Sequence, residues 1–401
     1  MSQAHKELRA INRSKVLNLI YTLSPIPRVR IHRLTGLCKP TVSSIVNELI
    51  DEGLVRESNP VQTSMGRKPV NLRINENYWT YGVIDVRLWK TELAVCDLSG
   101  RILASGHMPT VPGNPVDFLG KCARNLARMM KSDSHRVLGA SIILPCGLDS
   151  VRGQVHYHRT LDWRNLDVRK SVSTELNCPL LVENDARAAA LAELMFAPET
   201  RDLQSFVYVL VTDGIGMGIV IERQLYYGAH FLDDRIGMKV INIDGRREEL
   251  TKDSWDKNGS LRGAVHRFCD LNGIPFPHDI HRDFSRILSL ARRGEQTSLR
   301  ALKQAARYMG VGLANIYRTI DPERIIVGGE ITRVWDLVAD EIVKELESQA
   351  FFHSAPMRDL IVPGSLGLST FDGARAMVFR DLLGCRPLPT ARQGSLTATA
   401  R

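Results

Sequence analysis

Apolar residues are spaced in two different ways along this chain, and the change falls near residue 76. Before it, the period is helical. "RSKVLNLIYTL" (13–23) places Val16, Leu17, Leu19, Ile20 and Leu23 on one side of a helix that Pro25 and Pro27 end. A short helix is predicted around Ile31 to Thr35, followed by Gly36. In "CKPTVSSIVNELIDEGLV", Val42, Ile45, Val46 and Leu49 fall at i, i+3, i+4 and i+7 and predict one buried stripe. Pro40 suits the first turn of that helix, where its missing N–H costs nothing, and Gly53 stops it. "LVRES" and "VNLRIN" then read as two short strands around the polar loop "NPVQTSMGRKP". Beyond about residue 80, strands and helices alternate. "YGVIDVR", "TELAVCDL" and "RILASGHM" predict three strands joined by short turns, and a helix covers 115–131. "VLGASIILP" and "PLLVEND" are further strands. "SFVYVLVTDGIGMGIVIERQLYYG" predicts a hairpin whose turn holds Gly214, Gly216 and Gly218. Helices over 296–319 and 333–350 flank the strand "RIIVGGE". The order is mixed α/β. The polar end, 385–401, is predicted to be disordered.

Helix, helix–Gly turn–helix, then two strands is the order of a winged helix-turn-helix, and the charge distribution agrees with it. Residues 1–75 hold 12 Lys/Arg against 5 Asp/Glu, a net +7; the remaining 326 hold 41 against 39, a net +2 of the total +9. A basic module on a near-neutral body is the footprint of nucleic-acid binding, although a solvated basic face gives the same totals. The polar side of the third helix shows Lys39, Thr41, Ser43, Ser44 and Asn47. Short polar side chains there can approach base edges, and Lys39 stands by the helix N-terminus, where backbone N–H groups already favour phosphate. Arg30 on the preceding helix joins this set. In "GRKP", Arg67 and Lys68 suit a minor-groove contact or an ordinary basic linker. The partner implied is double-stranded operator DNA of pseudo-palindromic sequence, bound by a homodimer or homotetramer.

Other classes are bounded by composition. No run of 18 apolar residues is present, and "MSQAHKELRAINRSKV" has no apolar signal core, so a cytoplasmic chain with no membrane partner is expected. The seven cysteines, at 38, 96, 122, 146, 178, 269 and 385, include no C-x-x-C pair. They are read as thiols rather than a disulfide framework. His266/Cys269 and His278/His281 have helical spacing but no further ligands nearby, and are read as ordinary surface or core residues.

Four separated stretches, "GVIDVRLWKTELAVCDLSGRIL", "VENDARAAALAE", "TDGIGMGIVIERQLYYGAH" and "DPERIIVGGEIT", with "LSTFDGARAMVF" after them, resemble the ROK family in the family's order. The resemblance runs from about residue 12 to 384. It implies a winged helix-turn-helix over 1–76 and a two-lobed actin-like, hexokinase-type ATPase fold over 77–384, which would bind effector and form oligomers. It also supplies site expectations. ROK kinases carry a D-x-G-x-T phosphate loop; here it reads Asp85-Val86-Arg87-Leu88-Trp89, where larger side chains obstruct the close backbone approach that glycine permits. Gly214, Gly216 and Gly218 remain as a degenerate nucleotide loop. The family's zinc motif has Met238 at its histidine position, and 230–268 lack cysteine. No metal, no cofactor and no catalytic residue are therefore expected. The sugar site would hold Asn184 and Asp185, with Arg159 in place of an Asn and Arg235 in place of a Glu. Two guanidinium groups would suit an anionic effector, a sugar acid or sugar phosphate. Alternatively they pair with Asp185, Asp233 or Asp234 and close the pocket. The expected function is a transcriptional regulator, a repressor, of carbohydrate-related genes, with a degenerate sugar-kinase-like domain sensing a sugar or anionic sugar derivative. The alternative is an ATP-dependent carbohydrate kinase with Asp185 as general base.

Overall fold

The structure is a computed structural model. It describes residues 3–58, 70–131, 135–158, 160–233, 235–238, 254–277, 279–349, 356–365 and 370–385. Arg67, Lys68, Arg159 and the polar end from residue 386 lie outside the described residues. Within the predicted tail, Cys385 is described and buried.

Helix α1 (Gln3–Thr22) leads to a two-residue strand β1 (Ile26–Pro27), α2 (Arg28–Thr35), α3 (Lys39–Asp51), β2 (Val55–Ser58) and β3 (Asn71–Ile74). The predicted stripe of α3 is buried as read: Val42, Ile45, Val46 and Leu49 pack with Val16, Leu17, Ile20 and Ile31. Three predictions are corrected. Helix α1 begins at Gln3, ten residues before the predicted start at Arg13, because "QAHKELRAIN" is rich in good helix formers and Arg9 and Arg13 pair with Glu48 of α3 and with Glu52, its C-cap. Helix α2 starts at Arg28 rather than Ile31, immediately after the Pro27 cap. The wing has three strands in the order β1-β3-β2, since Ile26 and Pro27 pair with Leu72 and Asn71. A two-residue strand carries no periodicity to read.

The body begins with β4 (Trp79–Val86), β5 (Lys90–Asp97), β6 (Ile102–Pro109), α4 (Pro115–Lys131) and β7 (Arg136–Leu144). A small sheet follows, β8 (Gly147–Asp149), β9 (Gln154–His158) and β10 (Trp163–Asp167), then α5 (Val168–Val172), β11 (Leu180–Asn184) and α6 (Asp185–Phe196). The first lobe's sheet has the order β11-β7-β4-β5-β6, and β4 is a continuous buried run because helices cover it. The second lobe contains β12 (Phe206–Val211), β13 (Ile215–Ile221), β14 (Gln224–Tyr226), α7 (Trp255–Gly259), α8 (Leu261–Asn272), α9 (Ile280–Arg292), α10 (Gln296–Ile320), β15 (Arg324–Gly329), α11 (Trp335–Gln349), α12 (Met357–Leu360) and β16 (Ile361–Pro363). Its sheet runs β14-β13-β12-β15-β16. A 3-10 turn, Glu330–Val334, occupies the first residues of the helix predicted from 333. Helix α13 (Thr370–Met377) continues as a π-helical turn, Val378–Leu382. Each lobe has its own buried core.

The third core is shared, and it positions the site. It runs without a break from the winged helix through Tyr21 to α6 and α13. Tyr21 of α1 meets Phe379 with ring centroids 4.5 Å apart and Phe196 at 5.2 Å. The Arg375 guanidinium stacks over Phe196 at 4.1 Å. Arg13 donates to the Leu383 carbonyl (2.9 Å), and the Trp79 indole N–H donates to the Glu52 carbonyl (2.8 Å). The winged helix is thereby seated on the C-terminal ends of α6 and α13.

Candidate functional site

Two surfaces carry the residues expected to act. On the winged helix, Lys39, Ser44 and Asn47 are exposed on α3 and Arg30 is exposed on α2, while Thr41 and Ser43 are half-buried. Thr41 is committed locally: its hydroxyl lies 3.0 Å from the Cys38 sulfur, and this hydrogen bond holds the Cys38 thiol below its usual range. Asn47 accepts a hydrogen bond from Arg28 (3.0 Å), a residue the sequence reading did not single out.

The second surface is a cleft of about 1060 Å³ between the lobes, lined by both. Its floor is the turn from β11 into α6. Asn184 is the helix cap, with its side-chain oxygen accepting from the Ala186 and Arg187 N–H groups (2.8 and 3.1 Å) and its amide donating to the Cys146 carbonyl (3.2 Å). Asn184 is 4% exposed, so it shapes the turn from below. Asp185, the first helical residue, is half-buried and lines the cleft.

Beneath that turn lies a buried ionic cluster centred on Arg187, which sequence reasoning missed. Its side chain is 0% exposed. It donates to Glu183 (2.8 Å), Asp233 (3.2 Å), the Leu148 carbonyl (2.9 Å) and the Ser150 hydroxyl (3.3 Å). Glu183 also accepts from Ser150 and from the Tyr227 hydroxyl (2.9 Å), and Arg380 donates to that hydroxyl (3.2 Å). Asp233, one of the candidate partners of Arg159 and Arg235, accepts from Arg187; the side chains of those two arginines, and Asp234, lie outside the described residues. Arg235 lies in the 3-10 turn Arg235–Met238 near the cleft, and its side chain is outside the described residues.

The glycine loop is corrected. Only Gly214 lies in the turn between β12 and β13; Gly216 and Gly218 are within β13. A Cβ on Gly216 would stand 2.8 Å from the Ala186 Cβ, and one on Gly218 would stand 2.5 Å from the Ala190 Cβ. These glycines let α6, with its alanine face, lie close on the sheet. The same small-residue packing recurs at Gly373 of α13, whose Cβ would stand 3.0 Å from Ala188. At the far end of α6, Glu193 is 2% exposed and accepts from the Ser365 N–H (2.8 Å); burial pushes its carboxyl up to about 7.

The segment in the position of the first phosphate loop is filled by its own side chains. Arg87 donates to Asp85 (2.9 Å) and to the Thr370 hydroxyl (2.9 Å), which donates to Asp85 (2.7 Å). The Trp89 indole N–H crosses to the second lobe and donates to Asp213 (3.1 Å). Asp213 lies 3.1 Å from Nε2 of His281, whose Nδ1 pairs with Glu330. His281, read from spacing as an ordinary surface or core residue, is therefore part of an interlobe cluster. The Glu330 hydrogen bond raises its imidazole above the usual range. Burial raises Asp213; at Glu330 burial acts in the same direction, but His281 together with Arg333 and Arg87 outweighs it and lowers the carboxyl. Asp213, His281 and Glu330 of this cluster line the cleft.

The sequence profile described as "ROK family" matches residues 81–380. The chain belongs to the ROK family. The xylose repressor of Bacillus subtilis is 27% identical over 364 residues, covering 90% of this chain and 92% of that one. Among solved structures, a ROK family transcriptional regulator described as a homologue of the E. coli MLC protein superposes with a TM-score of 0.77 at 23% identity, covering 94% of this chain and 96% of that one. A ROK family glucokinase from Streptomyces griseus, in complex with glucose and AMPPNP, gives 0.59 at 23% identity and covers 74% of this chain. The mixed α/β ROK body thus shares the two-lobed fold of the kinases, and the match to the regulator extends over the winged helix as well. Among the described residues, no helix is long and apolar enough to cross a membrane.

Proposed function

We propose that this ROK family protein is a DNA-binding transcriptional regulator, a repressor of carbohydrate-related genes, whose cleft senses a sugar or an anionic sugar derivative. The observation that carries the reading is α6. Its first turn, Asn184–Asp185, forms the cleft floor, and its last residue, Phe196, packs on Tyr21 of the winged helix. Twelve residues at 1.5 Å each make it a strut of about 18 Å. A ligand that shifts one end displaces the seat at the other, and it alters DNA affinity only through unequal affinity for the two arrangements. A coupling of about 1–3 kcal/mol is expected. The xylose repressor relative supports a sugar as effector. Arg159 and Arg235, if both face the cleft, extend the range to sugar acids and sugar phosphates. The actual use of Arg87 and Trp89 as bridges speaks against phosphoryl transfer, and no cofactor enters the proposed mechanism.

Binding of the full-length protein to the DNA flanking its own gene, followed by fluorescence anisotropy with xylose, glucose, N-acetylglucosamine, sugar acids and sugar phosphates, tests this. A several-fold change in DNA affinity with one member of the panel, lost in Asp185→Asn, is expected. ATP-dependent turnover of a sugar, abolished in the same variant, would overturn it.

A further inference from the structure

We propose that the cleft has an inner subsite along α6, with the Tyr208 hydroxyl as its polar group, that takes the uncharged, apolar aglycone of a glycoside whose sugar ring sits at Asp185. The inference rests on the sugar-sensing reading and names the class of effector.

The cleft does not stop at the turn from β11 into α6. Asp185, Ala189 and Ala192 all line it. They fall at i, i+4 and i+7 on one face of α6, so at 1.5 Å per residue the cleft follows the helix for about 10 Å. Across from that face lie Tyr208 and Leu210 of β12 and Gly328 of β15, with Gly364 and Ser365 at the inner end. The cleft volume, about 1060 Å³, stands at the top of the roughly 300–1,000 Å³ that small-molecule sites provide for drug-sized ligands. A single sugar ring held at Asp185 leaves the inner part unfilled.

Two glycines keep that part open. A Cβ on Gly328 would overlap the Tyr208 hydroxyl, and one on Gly364 would stand 2.8 Å from Oε1 of Glu193. Tyr208 is 7% exposed, and its hydroxyl, lying over Gly328 in the cleft wall, makes no hydrogen bond among the described residues. Buried hydroxyls are ordinarily paired, and an unpaired one is a standing cost that a ligand oxygen would remove.

The walls choose the occupant. Between Asp185 and Ser365, Ala189, Ala192, Leu210, Gly328 and Gly364 contribute no charged side chain. Carboxyls stand at both ends: Asp185 at the cleft floor, and Glu193 behind Ser365, whose N–H it accepts at 2.8 Å. Burial, then the charges of Glu193 and Asp185, raise the Tyr208 hydroxyl, so it stays protonated between them. An anionic substituent would face two acidic groups. A second sugar ring would bury several hydroxyls with the Tyr208 and Ser365 side chains alone to meet them. An apolar group joined through one oxygen fits, with the glycosidic oxygen accepting from Tyr208.

Isothermal titration calorimetry of the full-length protein tests this with xylose, glucose and N-acetylglucosamine, the phenyl β-glycoside of each, and the disaccharides xylobiose and cellobiose. At least one phenyl glycoside is expected to bind about tenfold or more tighter than its parent sugar, the low end of what a hydrophobic pocket gains from an added apolar group. Neither disaccharide should show such a gain. Ala192→Leu, which fills the inner part, should bring the glycoside down to the affinity of its parent sugar. Tyr208→Phe, which removes one hydroxyl and keeps the ring, should weaken the glycoside about threefold or more. Thermal melting shows that each variant is folded, and the tyrosine variant decides if the leucine one is not. Phenyl glycosides no tighter than their parents, a gain that survives both substitutions, or an equal gain for a disaccharide overturns the inference and leaves sugar sensing standing. If no member of the panel binds, the sugar-sensing reading falls and the inference with it.

Discussion

Replacing Arg187 with methionine should destabilise the body without contact to any ligand. Methionine keeps much of the side-chain length and removes the charge. The guanidinium is 0% exposed and bonded to two carboxylates, a carbonyl and a hydroxyl, so none of its lost interactions is recovered from water. Glu183, 1% exposed, would keep Ser150, Tyr227 and the Asn184 N–H, with Arg380 acting on it only from beyond Tyr227, and Asp233 would keep the Gly228 N–H, but both would lose the guanidinium that bonds them directly. Breaking a buried ion pair by deleting one partner costs about 3–5 kcal/mol, chiefly through the charge left behind. At about 2 °C per kcal/mol for a chain of this size, the melting transition should fall by roughly 6–10 °C. Thermal unfolding followed by circular dichroism measures it. The cause is separable by a cycle with Glu183→Gln. If the stranded carboxylate is what destabilises, the double variant should lose less than the sum of the two single variants by at least about 1 kcal/mol. A methionine variant that melts with the wild type, or a cycle additive within about 0.5 kcal/mol, would refute the reasoning.

Three further outcomes are expected. The His281 imidazole is raised in the folded state, so its contribution is complete below its ordinary pKa of 6.5 and lost as pH rises through the folded value; Glu330, lowered, contributes above 4.5 and loses its effect as pH falls. The interlobe cluster is thus tightest in mildly acidic solution, and His281→Gln should flatten the fall in melting temperature between pH 6 and 9; an unchanged slope counts against the cluster. Glu193, pushed from 4.5 to about 7, stabilises the fold fully below pH 4.5 and loses that contribution as pH rises through 7, so Glu193→Gln should stabilise the protein at pH 8 by on the order of 3 kcal/mol and leave it little changed at pH 4. Equal melting temperatures for the two proteins at pH 8 would contradict this. DNA affinity should fall steeply with salt, and Lys39→Ala should reduce the slope of log affinity against log salt by about 1; an identical slope removes Lys39 from the phosphate contacts.

Local pattern was enough to read the α3 stripe, the three successive strands β4, β5 and β6, and the turn "VENDARAAALAE", because each depends on neighbours a few residues apart. The boundaries that failed were those set by partners at a distance. Helix α1 runs past its apolar stripe because Arg9 and Arg13 reach residues 39 positions away. The glycines of "GIGMG" looked like a turn for phosphate, and two of them turned out to admit α6 onto its sheet. That distinction requires knowing what lies above the strand.

The family, the order of a basic winged helix and a two-lobed body, and the bulky residues where a phosphate loop would need glycine are all legible along the chain. These are properties of residue type and short-range spacing. Only the tertiary structure decided what those residues do. Trp89 joins Asp213 across the cleft, Asn184 caps the helix while Asp185 faces the cavity, Arg187 takes Asp233, and Arg28 bonds the Asn47 amide. Each outcome depends on which donor meets which acceptor once water is excluded and distant segments are packed together, and spacing along the chain carries no record of that meeting.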